Sequence, residues 1–235
     1  MRLLGVLGGM SWTSTESYYR GLNAGVAARL GGLHSARLLL HSVDFAPVAQ
    51  AQHDGDWDAT ARLLGDAARG LAAGGAEALL LATNTMHKVA GAVEAAAGIP
   101  LLHIADPTAD ALLAGGHRRV GLLATHFTME HDFYVERLRA RGLDVVVPGD
   151  ADRDLVHRVI YDELVHDVVR DRSRDAYLEV VRRLVADGAD AVVLGCTEIG
   201  LLLTDGDADV PLLDTTALHV AAGVDWLCAD PSDPD

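Results

Sequence analysis

The sequence predicts an α/β fold of two pseudo-symmetric lobes, each a mainly parallel sheet flanked by helices. Three observations lead to this prediction. One short phrase occurs twice, short apolar runs alternate with amphipathic segments, and strand-like segments recur in the same order in both halves. Alternating strands and helices are typical of parallel sheets that are covered by helices.

The repeated phrase reads LAAGGAEALLLATNT over residues 71–85 and LVADGADAVVLGCTE over residues 184–198. The offset of 113 residues, from Leu71 to Leu184, aligns Thr83 with Cys196. Two further segments recur in the same order: 4–10 resembles 120–126, and 99–103 resembles 210–214. Three matches in one order indicate an internal duplication.

Short runs rich in Leu and Val, ended by Gly, Asn or Thr, predict eight strands. They fall near 3–8, 36–42, 78–82, 100–104, 119–124, 143–147, 191–195 and 211–213. Apolar residues at three- and four-residue spacing predict helices between them. Examples are 13–30, 57–74, 86–97, 129–141, 153–169 and 174–187. We expect residues 1–98 with 212–235 to form the first lobe and 99–211 the second.

Composition limits the function class. Half of the 235 residues are hydrophobic, which is ample for a core, and the net charge of −15 argues against nucleic acid and anionic membranes. The presence of only two cysteines argues against a fold that is held together by disulfides. No apolar run approaches the roughly 18 residues that a membrane span needs. These features predict a soluble, cytoplasmic protein.

No cofactor or metal is expected from the sequence. A pyridoxal phosphate enzyme needs a Schiff-base lysine. The one lysine, Lys88, has the simpler interpretation of an exposed helical residue. The histidines and acid at 126–131 match neither HExxH nor HxxEH, which argues against a zinc site.

Polar residues follow the two strands that the duplication relates, Thr83-Asn84-Thr85 and Cys196-Thr197-Glu198. Ligands bind at the carboxyl ends of strands in open parallel sheets, so we expect an active site there, between the lobes. The structural alternative is a pair of helix-capping clusters. The functional interpretation is carboxylate binding by helix N-termini, with a thiol whose pKa the helix start lowers.

Two further turns are candidates. Met10 and Ser11 follow a Gly-Gly pair after the first strand, and form either an anion-binding turn or a turn into a helix capped by Ser11 or Thr13. Thr125 and Thr128 follow the repeat partner of that strand and are candidate ligand hydroxyls. His87 is either a helix surface residue or a proton-transferring group behind the site, and we favour the first interpretation.

Together these motifs resemble the aspartate/glutamate racemase family. The resemblance lies in Gly-Gly-Met-Ser-Trp (8–12), Thr-Asn-Thr-Met-His-Lys (83–88) and Gly-Cys-Thr-Glu-Ile-Gly (195–200). It is strongest to the branch of broad-specificity amino-acid racemases. The resemblance implies a PLP-independent isomerase, often a homodimer, whose substrate is a free amino acid held between the lobes.

The resemblance also implies roles. Two cysteines exchange the α-proton in the family; the second falls on Cys196 and the first on Thr83. Family members that bind a distal acidic group use basic residues near positions 48 and 161–163, where this sequence has none. This departure leaves the accepted side chain open.

The resemblance therefore implies a racemase in which Cys196 is the base, Thr83 serves the opposite face, and the L-enantiomer is favoured. Hydrogen-bond donors to the substrate carboxylate are expected from a set of polar side chains: Asn84, Thr85, Thr125 and Thr197. Glu198 either orients the thiol, binds the ammonium group or is a surface helix residue. The alternatives are a single-cysteine decarboxylase of malonate-type acids, which needs one proton donor, and an amino-acid-binding relative without catalysis.

Overall fold

A computed structural model describes residues 1–229. It contains eight strands, one for each predicted strand. They are β1 Leu4–Gly8, β2 Leu38–Ser42, β3 Ala78–Leu81, β4 Leu101–Leu102, β5 Arg119–Leu123, β6 Asp144–Val146, β7 Ala191–Leu194 and β8 Leu212–Asp214. The central strands β1, β3 and β7 are buried along their whole length, which is why they read as apolar runs, whereas the outer strand β2 is partly exposed.

Ten α-helices connect the strands of residues 1–229. They are α1 Trp12–Leu30, α2 Phe45–His53, α3 Trp57–Ala73, α4 Ala90–Ala97, α5 Ala105–Ala114, α6 His126–Glu130, α7 Asp132–Arg139, α8 Asp150–Asp162, α9 Asp171–Ala186 and α10 Thr215–Cys228. None of these helices is both long and apolar enough to cross a bilayer.

The helix predictions differ from the structure in four ways. The segment predicted as 129–141 begins within α6 and continues in α7, with a break at His131. The segment predicted as 86–97 begins as a 3₁₀ helix, Thr85–Val89, before α4. The one predicted as 153–169 ends at Asp162 and is followed by a 3₁₀ turn. Three helices were absent from the predicted examples, α2, α5 and α10. Much of α5 and α10 is Ala and Leu, so their apolar residues do not form a narrow stripe.

The two sheets share one topology, which bears out the predicted duplication. The first has the strand order β2-β1-β3-β4 and the second β6-β5-β7-β8, with every pair parallel. The pairing of β1 with β3 (Leu7 opposite Leu81) has its counterpart in β5 with β7 (Leu123 opposite Leu194). Each half is thus a central strand pair with one strand added on either side.

Side-chain alternation explains why both faces of the first sheet carry helices. Along β3, Leu79 and Leu81 pack into one apolar cluster, while Ala78 and Leu80 pack into another. A strand buried on both faces reads as a continuous apolar run, as β3 does. The second sheet is buried in a single larger cluster, to which all of β7 contributes.

The chain divides into two compact units, Met1–His103 with the segment from His219, and Ile104–Leu218. Both boundaries come later than those expected at 98/99 and 211/212. The reason is strand pairing: β4 pairs with β3, and β8 pairs with β7, so each short last strand stays with its own sheet. Residues 230–235, which were assigned to the first lobe, lie outside the described residues.

Candidate active site

In the first unit, the chain turns sharply as β3 ends. The amide of Ala82 donates to the carbonyl of Leu7 in β1 at 2.9 Å, and the amide of Thr83 turns back to Leu81 at 2.8 Å. The side chains of residues 83–85 are buried. Asn84 precedes the 3₁₀ helix but makes no side-chain capping bond, so the helix-capping interpretation of this segment is not what the structure has.

In the second unit the same turn recurs after β7. The amide of Gly195 donates to the carbonyl of Leu123 at 2.7 Å, as Ala82 does to Leu7 in the first half. Cys196 follows directly, in the position that Thr83 occupies after β3. The duplication therefore extends to this cross-strand backbone hydrogen bond, whereas the carbonyl of Leu194, the counterpart of Leu81, accepts from the Thr215 hydroxyl at 2.8 Å.

Cys196, Thr197 and Glu198 form a compact hydrogen-bonded group. The Cys196 thiol donates to Oε2 of Glu198 at 3.0 Å, and the Thr197 hydroxyl donates to the same oxygen at 2.7 Å. Cys196 is 7% exposed and Glu198 is 5% exposed. A buried carboxylate that accepts two hydrogen bonds is held in one orientation, so the Glu198 side chain belongs to the thiol's immediate surroundings.

These surroundings make the expected low thiol pKa wrong for the free protein. Burial raises the pKa of Cys196 well above its ordinary value, and the charge of Glu198, the hydrogen bond to it and the charge of Asp214 raise it further. The helix that follows is a three-residue 3₁₀ turn, Ile199–Leu201, which is too short to supply a helix dipole. Cys196 is therefore a neutral thiol here.

Asp214 ends β8 and is fixed by the start of α10. Its Oδ1 accepts from the amides of Thr216 at 2.8 Å and Ala217 at 3.3 Å. Burial raises the pKa of its carboxyl group. A Cβ atom on Gly200 would lie 2.8 Å from Asp214 Oδ2, so the carboxylate occupies space that a side chain at 200 would need.

His87 is buried, which makes its interpretation as a surface residue wrong. It is 3% exposed, and its Nδ1 lies 2.7 Å from the carbonyl oxygen of Thr83. Its ring lies 4.5 Å from that of His103 and 5.8 Å from that of His219, centroid to centroid. Burial lowers the pKa of His87 well below its ordinary value, and the two neighbouring histidines lower it further.

The turn after β1 has the capping geometry. Ser11 is the N-cap of α1, and its hydroxyl accepts from the Ser14 amide at 3.3 Å. The amide of Gly9 donates to the Thr15 hydroxyl at 2.7 Å, so this donor is already used within the turn. Met10 packs into an apolar cluster of the first unit. Met10 and Ser11 thus shape the end of β1 beside β3.

After β5, Thr125 and Thr128 lie close together and buried. Their hydroxyl oxygens are 3.4 Å apart. The neighbouring His126 contacts two carboxylates, with Nδ1 2.8 Å from Glu130 and Nε2 3.1 Å from Asp154. Because β5 pairs with β7, Thr125 and Cys196 follow adjacent strands at one edge of the second sheet.

No group of His, Cys, Asp and Glu within residues 1–229 is arranged to hold a metal ion. Lys88 is half-buried, with its Nζ 4.2 Å from the ring centroid of Trp57, a cation–π contact. That lysine is thus in contact with an aromatic ring rather than fully exposed.

Sequence reasoning assigned no role to three residues around these strand ends, His103, Asp214 and His219, and favoured a surface position for His87. One signal was available, because His103 and Asp214 occupy the same position in the duplicated segments 99–103 and 210–214. His103 follows β4 directly, and Asp214 is the last residue of β8. The contact of His219 with the first sheet depends on the final helix returning to it, which no local pattern reveals.

Comparison with known proteins identifies relatives over nearly the whole chain. The sequence model of the Asp/Glu/hydantoin racemase family matches residues 7–223. A glutamate racemase of Neisseria meningitidis is 32% identical over 171 residues, which is 68% of this chain and 62% of that protein. The chain thus spans less than two thirds of that relative's length.

Two solved structures are similar throughout. A candidate Asp/Glu racemase from Yersinia pestis is 50% identical, with a TM-score of 0.91 over 97% of this chain and 100% of that one. An aspartate racemase homologue from Pyrococcus horikoshii is 29% identical, with a TM-score of 0.83 over the same shares. The two sheets of equal topology, the corresponding turns after β3 and β7, and the family match over 7–223 lead to one conclusion: the chain belongs to the Asp/Glu/hydantoin racemase family.

Proposed function

We propose that this protein is a cofactor-independent amino-acid racemase that exchanges the α-proton of a free amino acid. Cys196 is the base that acts on the L-enantiomer, and Thr83 serves the opposite face of the same substrate. The observation that carries the proposal is the Cys196–Glu198 hydrogen bond of 3.0 Å, at a strand end related by duplication to that of Thr83.

The α-proton of an amino acid is a very weak acid, so its removal needs a positioned base and stabilisation of the enolate-like carboxylate that forms. The hydroxyl and amide groups of Asn84, Thr85, Thr125 and Thr197 are proposed to donate hydrogen bonds to that carboxylate. Met10, Ser11 and Thr128 are proposed to contact the substrate as well. All but Thr197 are buried.

Glu198 explains how a neutral thiol becomes the base. In the free protein its negative charge raises the pKa of Cys196. The ammonium group of a bound amino acid would pair with the Glu198 carboxylate and remove much of that penalty, and the thiol then loses its proton to solvent. The thiolate takes the α-proton, and the Thr83 hydroxyl, directly or through water, delivers a proton to the other face of the carbanion. Solvent returns a proton to Thr83, so that no charge is left on either group after release.

The rates of α-proton abstraction from the two enantiomers are unequal under this mechanism. A hydroxyl is a far weaker acid than a thiol, so its conjugate base forms less readily and needs an activating partner. Abstraction by Cys196 from the L-enantiomer should therefore be faster than abstraction on the Thr83 side from the D-enantiomer.

A second candidate function is favoured by the neutral state of Cys196. A decarboxylase of malonate-type acids needs one proton donor: CO₂ leaves, and the thiol protonates the α-carbon of the resulting enolate. The raised pKa of Cys196 suits such a donor. A third candidate, an amino-acid-binding protein without catalysis, needs none of this chemistry.

The test is a panel of free L- and D-amino acids in heavy water, with deuterium at the α-carbon read by mass spectrometry. The racemase proposal predicts exchange with at least one amino acid, faster from the L-form, and none with Cys196→Ser. CO₂ release from substituted malonates without α-exchange would favour the decarboxylase. Binding by calorimetry without either reaction would support the binding protein and refute catalysis.

A further inference from the structure

Three buried histidines, His87, His103 and His219, lie together at the carboxyl ends of β3 and β4 in the first unit. Their rings form edge contacts, and His219 also makes one with Tyr18, at 5.6 Å between centroids. The residues come from three separate parts of the chain: the 3₁₀ helix after β3, the end of β4, and α10. The mechanism proposed above uses none of them.

Hydrogen-bond partners fix the tautomers of two of these rings. A carbonyl oxygen only accepts, so His87 Nδ1, at 2.7 Å from Thr83 O, carries a proton. By the same reasoning, His219 Nε2 carries a proton because it lies 2.8 Å from Leu102 O. The Tyr18 hydroxyl, 2.9 Å from His219 Nδ1, then donates to that nitrogen.

The His87 bond fixes the peptide plane between residues 83 and 84. The carbonyl of Thr83 is outside the backbone hydrogen bonds of β3 and is taken by the His87 ring, while the His87 amide donates to the next carbonyl, that of Asn84, at 3.1 Å. In a trans peptide the N–H points opposite to the C=O. Fixing this carbonyl therefore also directs the Asn84 amide to the opposite side.

We propose that His87 is the positioning residue for Thr83, and that its Nδ1–H bond to the Thr83 carbonyl sets the reactivity of the Thr83 face of the substrate. This inference rests on the proposed racemase function. The Nδ1 proton is engaged by the Thr83 carbonyl and is therefore not shared with the Thr83 hydroxyl. The contribution of the ring is the orientation of the turn.

The second lobe shows that this support is specific to the Thr83 side. The duplication aligns His87 with Gly200, which has no side chain, and the space beside it holds Asp214. The cysteine side is therefore surrounded by carboxylates and the threonine side by imidazoles. A change at His87 should affect one face of the substrate and spare the other.

The experiment compares α-hydrogen exchange from the D- and L-enantiomers in His87→Ala, His87→Asn and His219→Ala. His87→Ala should lower D-exchange by about tenfold to a hundredfold, the cost of a small misplacement of a reacting group, with L-exchange little changed. His87→Asn should restore the ratio, because its side-chain amide can donate where Nδ1–H did. His219→Ala is the matched control, since it removes an equally buried histidine that binds Leu102 instead.

An equal fall in both rates for His87→Ala, or the same change of ratio in His219→Ala, would overturn the proposal.

A wild-type protein that exchanges neither enantiomer would refute the proposed function, and nitrogen-15 NMR of the full chain then decides the inference. The neutral Nδ1–H tautomer at His87, with amide shifts of residues 83–85 more perturbed by His87→Ala than by His219→Ala, supports it. The Nε2–H tautomer refutes it.

Discussion

The Cys196 thiol lies 3.0 Å from Oε2 of Glu198, and the Thr197 hydroxyl donates to the same oxygen at 2.7 Å. This contact holds a carboxylate against a buried thiol, which favours the protonated form of the thiol. The free protein thus holds Cys196 as a proton donor, and conversion to a base requires a change in the charge around it.

Replacing Glu198 by Gln should lower the pKa of Cys196, because both the negative charge and the acceptor that favours the thiol are removed. The rate of alkylation by iodoacetamide, followed against pH in a Cys228→Ser background, should therefore rise at lower pH than in the parent. Asp214→Asn is the comparison and should give a smaller shift, since Asp214 contributes less. An unchanged profile in Glu198→Gln would contradict the assigned cause.

Replacing Thr83 by Cys should speed exchange from the D-enantiomer, by about tenfold or more, since a thiol is a better general base than a hydroxyl. The rate from the L-enantiomer should change much less. Both rates are measured by deuterium incorporation under reducing conditions. Thr60→Cys, at a buried position of α3, is the control for adding a thiol away from the proposed site. No gain in D-exchange would count against Thr83 as the group on that face.

The buried His87 predicts acid sensitivity. Its folded-state pKa lies well below the ordinary 6.5, so below that pH the unfolded chain binds a proton that the folded chain excludes. The stability it contributes is full above pH 6.5 and is lost as the pH falls toward its folded pKa. The groups facing it are His103, His219 and the carbonyls of Thr83 and Asn84.

His87→Asn should accordingly flatten the fall in the free energy of unfolding between neutral and mildly acidic pH, measured by urea denaturation. His53→Asn is the control, because His53 is exposed at the end of α2. A slope equally steep in His87→Asn and the parent would mean that other groups cause the acid sensitivity.

Replacing Gly9 or Gly91 by Ala should change the stability of the protein in opposite directions. A Cβ atom on Gly9 would lie 2.3 Å from the Val43 carbonyl oxygen, and its φ of +96° is unfavourable for other residues. Gly9→Ala should cost about 1–3 kcal/mol or more. Gly91 lies in α4 with open space around it, so Gly91→Ala should stabilise by about 0.5–1 kcal/mol. Thermal unfolding measures both, and destabilisation by Gly91→Ala would contradict the helix assignment there.

The sequence by itself determined the strands, the duplication and the family. Strands such as β3 and β7 are buried on their sheets and read as short apolar runs, and the offset of 113 residues aligned Thr83 with Cys196 without any coordinates. These signals are local or repetitive, and burial dictates them residue by residue. The predicted lobe boundaries fell just before β4 and just before β8. A short strand belongs to the lobe of the strand it pairs with, and the sequence does not show that pairing.

Only the tertiary structure decided the electrostatics of the two strand ends. The pKa of Cys196 depends on burial and on Asp214, which is 18 positions along the chain (196 to 214), and the pKa of His87 depends on burial and on His103 and His219, which lie far from it in sequence. Sequence spacing suggested a helix start that would lower the thiol pKa, yet folding supplied a 3₁₀ turn and two carboxylates instead. Desolvation and charge act through space, so they follow from packing and not from order along the chain.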